Sequence, residues 1–527
     1  MNFKNFFIKD NLDKALFFIT FIFSHSVANL YYDSSSGQDF EKYNRYLKFF
    51  NGDLVNTNLE QNPVYFFYVS KIMEMNSKKN IFYSYESLVS FSIQSTNYLI
   101  YGIGLVGLYR LLKLYKVEVS NIYLSLALLN FFPPMIGMRL TMKPEILSFS
   151  LLIWIIYFIE MNLEYKKQKY LYSSIILFGF VLTLKLSVAA MLSIFLAFVY
   201  YKDYIKIDKK TFLTGLILLL TVFSLLQYES YQVNNKFVYE AEHDTKYNNK
   251  ASPSIIYKIN PIKLFKEPYE DRHKDSMISI LLLDTFDDYF NLYWNYDKGL
   301  LEKNEKVIIT SEESDKLFEI DSYNKTLNYS GPFNFYTRFI KQYIAILLTL
   351  FFVLASIRYS GKHKKFIYSP LIGIVVLIIN NVLGFPSNNF DPNRADTFKT
   401  FYIAIFLSLS FIFVNIFLLK VLGKYRYIYL VIFILLMLFI FGLPLANNSD
   451  LDSSLSRNNS LSIFCEINYP FLNSSLFENE NLTCITKSSD VSGLYEIKNV
   501  PYINVLFSFL IIGVLLFEII SQFKIRK

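Results

Sequence analysis

Acidic and aromatic residues alternate in a short polar stretch that directly follows the first apolar segment. Residues 36–46 read SGQDFEKYNRY and include Asp39 and Tyr43. A carboxylate at this place could act as a general base or orient an attacking hydroxyl group. Asp39 also precedes a helical pattern that begins at Phe40, so it could equally be a helix N-cap. Asp33 is the weaker candidate for the same role.

Three cations lie between apolar runs, where charge is unexpected. Arg139 and Lys143 belong to the stretch FPPMIGMRLTMKPE at 132–145, and Lys185 separates two short apolar runs. Arg can bind a phosphate through two nitrogen atoms and Lys can bind it as a point charge. Snorkelling to lipid headgroups is the alternative. Lys185 needs a partner, which could be a lipid phosphate or Glu145. Glu145 could also be a first-turn acid at a helix N-terminus.

A second stretch of acids and aromatic rings lies in the middle of the chain. Residues 281–294 read LLLDTFDDYFNLYW. Carboxylates can bind sugar hydroxyls and aromatic rings can stack on the apolar face of a sugar. Three acids within five residues could also hold a divalent cation. The alternative is a surface turn over a buried aromatic cluster. The candidate sugar or acceptor ligands are Asp284, Asp287, Asp288 and Trp294, together with Tyr43 and Glu145 from the stretches above.

The two cysteines lie in one polar segment late in the chain. In an oxidising compartment, Cys465 and Cys484 could form a disulfide. Such a bond would close a loop of about 20 residues and stabilise that segment by about 3 kcal/mol. The histidines and cysteines do not follow the spacing of a metal site. No cofactor is therefore predicted beyond the divalent cation that the acidic stretch could bind.

The elements that must position these residues are membrane helices. Of the 527 residues, 53% are hydrophobic and 18% are charged, whereas soluble proteins carry about 25% charged residues. Several runs reach the roughly 18 to 20 apolar residues that cross a bilayer. The sequence predicts an all-α polytopic membrane protein with about 12 transmembrane helices, range 10–13. The spans are 13–30, 89–110, 120–137, 146–162, 170–184, 186–201, 211–228, 337–357, 367–384, 398–419, 428–446 and 502–521. The short fifth and sixth spans could instead be one bent helix.

The first long loop is predicted to hold amphipathic helices on the membrane surface. Between residues 40 and 51, apolar residues recur at helical spacing and form one face. That face consists of Tyr43, Tyr46, Leu47 and Phe50. A second amphipathic segment begins near Asn62. The loop 229–336 is long enough to form a small outer domain.

Basic residues cluster in short loops that all fall on one side of this topology, together with both chain ends. The positive-inside rule makes that side cytoplasmic. The long loops 31–88, 229–336 and 447–500 fall on the other side. The loop 229–336 carries 13 Lys and Arg against 19 Asp and Glu. The net charge of +8 therefore reflects topology and gives no support to nucleic-acid binding.

The topology also divides the chain into parts. These are a membrane core (1–228) that includes the first outer loop, an outer loop domain (229–336), further membrane helices (337–446), an outer loop with the cysteines (447–500), and a last helix with a cytoplasmic tail (501–527). The cytoplasmic loops are short and contain no nucleotide-binding motif. An enzyme of this topology would act on the outer side, on a donor that the bilayer delivers.

This arrangement resembles the GT-C class of glycosyltransferases, which use polyprenyl-phosphate-linked sugars and include protein O-mannosyltransferases and aminoarabinose transferases. The resemblance lies in a cytoplasmic start, one span, and an outer loop with an early acid and two surface helices. The sequence DFEKY at 39–43 is similar to the acid and downstream Tyr of the class. The resemblance implies that Asp39 is the catalytic carboxylate. It also implies that Arg394 and Lys399, in a late outer loop, contact the lipid phosphate; an Arg394–Asp396 surface pair is the alternative.

The predicted function is transfer of a sugar from a polyprenyl-phosphate carrier to a lipid, glycan or protein acceptor. The predicted location is the inner (plasma) membrane, with a site that faces the periplasm or the outside. A polysaccharide polymerase or ligase, and a flippase or transporter of a lipid-linked glycan, are alternatives. An envelope assembly protein without catalysis is a further one. A transporter would need ionisable groups inside the helix bundle. Apart from Lys185 the predicted spans are almost free of charge, which counts against an ion-coupled transporter.

Overall fold

The structure is a computed structural model that describes most of the predicted helices and part of the loops. The described residues are 9–31, 34, 40–53, 61–77, 85–204, 208–235, 250–266, 275–286, 307–311, 314–320, 335–359, 361, 363–383, 398, 400–440 and 495–524. Several predicted site residues lie outside these ranges. They are Asp33, Asp39, Asp287, Asp288, Trp294, Arg394, Asp396, Lys399, Cys465 and Cys484.

The described residues are mainly helical. The first half contains α1 (Lys9–Tyr31), α2 (Phe40–Phe50), α3 (Val64–Ser77), α4 (Tyr85–Leu114), α5 (Val119–Leu129), α6 (Pro133–Leu140), α7 (Glu145–Tyr165), α8 (Gln168–Leu184), α9 (Leu186–Tyr204) and α10 (Lys209–Asn234). Three short helices follow, α11 (Ser254–Tyr257), α12 (Pro261–Lys266) and α13 (Met277–Asp284), and then an antiparallel strand pair, β1 (Val307–Ser311) and β2 (Ser314–Ile320).

The second half returns to long helices. It contains α14 (Phe335–Arg358), α15 (Lys364–Ile367), α16 (Ser369–Val382), a 3-10 turn (Thr400–Ile403), α17 (Ala404–Leu422), a second 3-10 turn (Gly423–Tyr425), α18 (Arg426–Ile440) and α19 (Tyr502–Lys524). The exception to the all-helical prediction, within the described residues, is the strand pair. It lies in the loop that was predicted to form an outer domain, and that domain remains a prediction.

Six helical stretches of the described residues are long and apolar enough to cross a membrane, or seven if the bent pair α5–α6 is one span. They are Glu145–Tyr165, Lys209–Asn234, Ile340–Arg358, Lys364–Val382, Thr400–Ile440 and Tyr502–Ile520. The protein is therefore membrane-embedded, as predicted. The finer count of about 12 spans remains a prediction.

Helix α7 and the stretch Thr400–Ile440, which contains α17, are the interior parts of the bundle. In the apolar window of each, 78% of the residues are buried, against 28% in α10 and α19. Two glycines of α4 allow close approach to α7: a Cβ on Gly104 would lie 2.6 Å from Ser150 Oγ, and one on Gly107 would lie 2.9 Å from the Trp154 ring. Trp154 Nε1 donates to Ile103 O at 3.1 Å. Helix α4 thus packs directly onto α7.

The structure confirms two predictions about helix breaks and refines a third. The prolines at 133 and 134 separate α5 from α6, and the two axes differ by 61° because proline cannot continue a helical hydrogen-bond ladder. Lys185 separates α8 and α9, since its backbone is extended (φ −160°, ψ 121°). The pair α8–α9 is therefore two helices. Arg139, expected on a turn, lies inside α6 instead.

The amphipathic face predicted for the first loop is confirmed, but it faces protein. Helix α2 buries the four predicted residues, Tyr43, Tyr46, Leu47 and Phe50. Tyr46 stacks on Phe66 of α3, with 4.1 Å between ring centroids. Helix α2 therefore packs on α3 through the face that the sequence would place on a membrane surface.

Candidate functional site

Helix α7 carries an ion-paired glutamate near each of its ends. Glu145 begins α7 and Glu160 lies near its end; 15 residues of helix separate them by about 22 Å. The fourteen residues between them carry no charged side chain. We call the two regions the Glu145 layer and the Glu160 layer.

A buried ion pair forms the centre of the Glu145 layer. Lys185 Nζ lies 2.7 Å from Glu145 Oε1. The side chain of Glu145 is 4% exposed and that of Lys185 is 20% exposed. This contact matches one of the two partners predicted for Lys185. The side chain of Lys185 thus comes from a break between two helices, and the Thr183 carbonyl at that break accepts from Asn62 N at 3.0 Å, outside the helix.

Tyrosine side chains surround this pair. Tyr43 of α2 and Tyr402 of the 3-10 turn lie within electrostatic range of Lys185, and Tyr65 of α3 lies within range of Glu145. The Tyr43 hydroxyl accepts from Gln61 Nε2 at 3.2 Å. Its ring is buried against Phe66, at 5.3 Å between centroids. Tyr43 can thus present a hydroxyl to the site, but its ring is not free to stack on a sugar.

Asparagine 97 connects the tyrosines to the loop that carries Lys143. The Tyr65 hydroxyl donates to Asn97 Oδ1 at 2.8 Å. Asn97 Nδ2 donates to the carbonyl oxygens of Arg139 and Thr141, each at 2.9 Å. Buried polar groups of this kind fix one arrangement because an unmade hydrogen bond would be costly. The segment between α6 and α7 is therefore held against α3 and α4.

Lys143 and Asp284 both contact the 3-10 turn that carries Tyr402. Lys143 is buried, with Nζ 4.7 Å from the Phe401 ring centroid. Asp284, at the end of α13, accepts from Thr400 N at 2.9 Å and from Thr400 Oγ1 at 2.6 Å. One oxygen of Asp284 thus anchors the turn that supplies Phe401 and Tyr402. In the described residues, Asp284 therefore holds the turn in place.

Arg139 faces a different part of the bundle. It is 2% exposed and donates to Ser24 Oγ at 3.2 Å and to Asn130 O at 2.6 Å. Its guanidinium lies 4.9 Å from the Tyr101 ring centroid. Asn130 follows the end of α5, so the cation satisfies a carbonyl that the break leaves free. Among the described residues, no carboxylate forms an ion pair with it.

Two oxygen atoms in the Glu145 layer receive no hydrogen bond from the described residues. They are Glu145 Oε2 and Gln61 Oε1, and both are buried. Each lies on a side chain whose other polar atom is bound, at Lys185 and Tyr43 respectively. Buried acceptors normally have a donor. The layer therefore has capacity to bind hydroxyl or other donor groups beside the ion pair.

Of the predicted site residues, the structure brings together Tyr43, Lys143, Glu145, Lys185 and Asp284, and it turns Arg139 away. Sequence reasoning missed Gln61, Tyr65, Asn97, Thr400 and Tyr402. Asn97 carried a usable signal, since an amide inside an apolar helix usually bonds to another helix. The tyrosines carried none, because the chain contains 42 of them.

A divalent cation site cannot be built from the described residues. They contain no group of three or more His, Cys, Asp or Glu side chains that could hold a metal. Asp284 is committed to Thr400. The other two acids of the predicted cation site, Asp287 and Asp288, lie outside the described residues, so that site stays a prediction.

The Glu160 layer has a different construction. Glu160 Oε1 receives Lys365 Nζ at 3.0 Å and the Tyr200 hydroxyl at 2.8 Å. Lys365 also covers the Tyr200 ring at 4.3 Å. Nearby, Arg426 Nη2 lies 3.7 Å from Asp13 Oδ2, with side chains 6% and 0% exposed. Ser120 Oγ donates to the same Asp13 oxygen.

No protein-family model, no curated protein and no solved structure matches this chain.

Proposed function

We propose that the protein is a membrane glycosyltransferase that moves a sugar from a polyprenyl-phosphate-linked donor to an acceptor hydroxyl at the Glu145 layer. One observation carries the proposal: a buried Lys185–Glu145 pair at a helix break, with Tyr43 and Tyr402 in electrostatic range. A cation held at a break in a membrane bundle can meet a lipid phosphate, and intramembrane cations mark functional sites by default.

The proposed reaction uses one carboxylate, which acts as a base, and two cations. The Asp39 carboxylate accepts the proton of the acceptor hydroxyl. The acceptor oxygen then bonds to the anomeric carbon while the bond from that carbon to the phosphate oxygen breaks. The leaving polyprenyl phosphate keeps the electron pair, and Lys185 and Lys143 stabilise its negative charge. Glu145 does not react in this scheme; it keeps Lys185 charged and oriented.

The remaining parts of the proposal follow from the charge pattern. Basic loops on the Glu160 side support a cytoplasmic location for both chain ends, with twelve spans and the Glu145 layer outside. The bilayer then delivers the donor laterally. Arg394 and Lys399 are proposed as further phosphate contacts, and Asp287, Asp288 and Trp294 as sugar contacts. Arg139 is not included, because Nη1 and Nη2 of its guanidinium bind Ser24 and Asn130 rather than residues of the Glu145 layer.

The uncharged interval of α7 supports a transferase over an ion-coupled transporter. Residues 146–159 contain no Asp, Glu, Lys, Arg or His. Glu518 reaches this interval at the Tyr157 hydroxyl, at 3.2 Å, within one turn of Glu160. An ion-coupled transporter usually binds its ion near the middle of the membrane. A polymerase or ligase would share the same donor chemistry, and the acceptor distinguishes it.

The test is a transfer assay with the full chain in lipid nanodiscs. A panel of polyprenyl-phosphate-linked hexoses and pentoses serves as donor, and the release of polyprenyl phosphate is measured with envelope lipids and glycans as acceptors. Wild-type protein should release the carrier lipid, and Asp39→Asn should not. Asp208→Asn is the matched control: Asp208 caps α10 on the opposite side, where its carboxylate accepts from Thr211 N at 2.8 Å, and hydrogen bonds from Thr211 lower its pKa.

Two outcomes would contradict the proposal. Retained turnover in Asp39→Asn would remove Asp39 from the reaction. Absence of carrier release by the wild-type protein with every donor, while movement of an intact lipid-linked glycan across the bilayer is measured in proteoliposomes, would favour the flippase.

A further inference from the structure

A short segment near the end of the chain lies against the carboxyl end of helix α2. The Tyr495 hydroxyl donates to Leu47 O at 2.7 Å and also lies 2.9 Å from Ser70 Oγ of α3. The backbone nitrogens of Lys498 and Asn499 donate to Phe50 O at 2.7 and 3.1 Å. Asn499 Nδ2 donates to Phe49 O at 2.6 Å.

These donors cap the helix from a distant part of the sequence. The last four carbonyls of a helix have no partner within it, and 450 positions separate Asn499 from Phe49. Gly52 allows the approach, since its φ is +98° and a Cβ there would lie 2.8 Å from Lys498 Cδ. A side chain at this position would strain the turn and force the Lys498 side chain to move.

The start of α19 makes a second contact, close to the Lys185 break. Asn62 Nδ2 donates to Asn504 Oδ1 and, at 2.9 Å, to Thr183 Oγ1. Asn62 N donates to Thr183 O at 3.0 Å. Thr183 lies in the last turn of α8, two positions before Lys185. A chain of buried hydrogen bonds thus joins α19, the first outer loop and the helix break.

The same asparagine is fixed from the other side by an acid of α10. Glu229 accepts from Ile503 N at 2.7 Å and from Asn504 Nδ2. Its negative charge lies at the amino end of α19, where the helix dipole favours an anion. Asn504 therefore has a set orientation, with its amide nitrogen toward Glu229 and its oxygen toward Asn62.

We propose that residues 495–504 form a C-terminal clamp that positions both walls of the Glu145 layer, α2 with Tyr43 and the α8–α9 break with Lys185. Asn504 and Tyr495 are its positioning residues. The significance of the clamp for catalysis rests on the proposed function, but the mechanical coupling does not. The first outer loop then reaches its final position only after the last helix has inserted.

Hydrogen exchange measured by mass spectrometry on the full chain in nanodiscs tests the coupling without an activity assay. Asn504→Ala should accelerate exchange about fivefold in 61–67 and 183–189, the change expected when one net hydrogen bond is lost. Asn415→Ala is the matched control, because Asn415 is another buried asparagine and its Oδ1 accepts from the Tyr429 hydroxyl at 2.6 Å. The control should affect only residues around 411–419.

The second contact is tested with a milder pair of variants. Tyr495→Phe removes the hydroxyl and keeps the ring, and it should accelerate exchange in 44–53; Tyr429→Phe should not. If Asn504→Ala fails to fold, Thr183→Val probes the same hydrogen-bond chain from its other end and should accelerate exchange in 61–67. Changes confined to 495–508 in all the clamp variants would overturn the proposal.

The transfer assay then separates the clamp from the proposed function. If the protein is the proposed enzyme, Asn504→Ala should lower kcat about fivefold and leave the donor KM nearly unchanged, because Lys185 is misplaced for the step that releases phosphate. If the wild type shows no transfer but the exchange responses appear, the clamp stands and the proposed function fails. If transfer occurs and the exchange responses do not, the clamp fails alone.

Discussion

The two ends of α7 use the same residue types in different surroundings. At each end a glutamate forms an ion pair with a lysine, at 2.7 Å for Glu145–Lys185 and 3.0 Å for Glu160–Lys365. The glutamate of the Glu160 layer receives both a lysine and a tyrosine hydroxyl on one oxygen. At the other end, Glu145 keeps one buried oxygen without a donor among the described residues.

The backbone around the two pairs differs as well. Glu160, Tyr200 and Lys365 all project from helices, so their contacts join three regular elements. Lys185 projects from a helix break, and the tyrosines near it come from α2 and a 3-10 turn. Contacts between regular helices stabilise a bundle, whereas helix breaks, which leave backbone groups free, recur at membrane binding sites. We infer that the Glu160 layer holds the fold and the Glu145 layer carries the chemistry.

The largest effect on stability is expected in the Glu160 layer, at Arg426. Arg426→Met would leave the Asp13 carboxylate buried without its cation, which costs about 3–5 kcal/mol. Unfolding in detergent, followed by thermal scanning, measures the loss. Lys424→Met, exposed in the preceding turn, is the control and should unfold like the wild type. Equal unfolding of the two variants would contradict a fold-holding role for this layer.

The largest effect on activity is expected in the Glu145 layer, at Lys185. Lys185→Met should lower carrier release about 100-fold, because a positioned charge no longer stabilises the leaving phosphate. Lys185→Arg should keep part of the activity, since the charge remains. Lys365→Met changes the other layer, whose Glu160 lies about 22 Å from Glu145 along α7. Its carrier release should stay within about threefold of the wild-type value because charges at that range are screened. Similar losses in both layers would remove the distinction.

A smaller effect is expected at Glu160. Glu160→Gln leaves Lys365 without its carboxylate partner. Because the Lys365 side chain is 30% exposed, water can solvate its charge, and the loss in stability should be about 1–2 kcal/mol. The folded fraction should transfer sugar at the wild-type rate. Thermal unfolding and transfer, measured on the same preparation, check both points; a loss of turnover beyond the unfolded fraction would count against the assignment.

The smallest effect is expected from a single hydroxyl of α2. Tyr43→Phe should lower transfer about fivefold, because one hydrogen-bonding group near Lys185 is lost and the ring packing is kept. Tyr46→Phe is the matched control on the next turn, where the hydroxyl accepts from Gln61 N at 2.9 Å. The control should change stability but not the ratio of kcat to KM. A larger loss of transfer in Tyr46→Phe than in Tyr43→Phe would place the site elsewhere.

Local patterns predicted much of the fold. The helical face of α2, the break at the prolines of 133–134 and the membrane helices follow from periodicity and from proline chemistry. Lys185 was noticed because a cation in apolar sequence requires a partner, and the structure supplies Glu145. These features depend on residues that are neighbours in sequence or in one helix.

Contacts between distant segments could not be predicted in this way. The sequence predicts Arg139 on a phosphate-binding turn and Arg426 in a basic loop; both are buried, and Arg426 pairs with Asp13. The clamp joins residues about 450 positions apart. Some of its donors are backbone nitrogens, which cannot be recognised from the types of the side chains. Likewise, the sequence does not show that Lys143, Tyr65 and Tyr402 lie near one ion pair, because this depends on how the helices pack.

The central claim is tested most directly by neutralising each pair completely. Glu145→Gln with Lys185→Met, and Glu160→Gln with Lys365→Met, each leave no uncompensated buried charge, so both double variants should be within about 1 kcal/mol of the wild type in stability. Carrier release should then fall about 100-fold in the first double variant and stay near the wild-type rate in the second. Wild-type transfer by a stable Glu145→Gln, Lys185→Met protein would contradict the account.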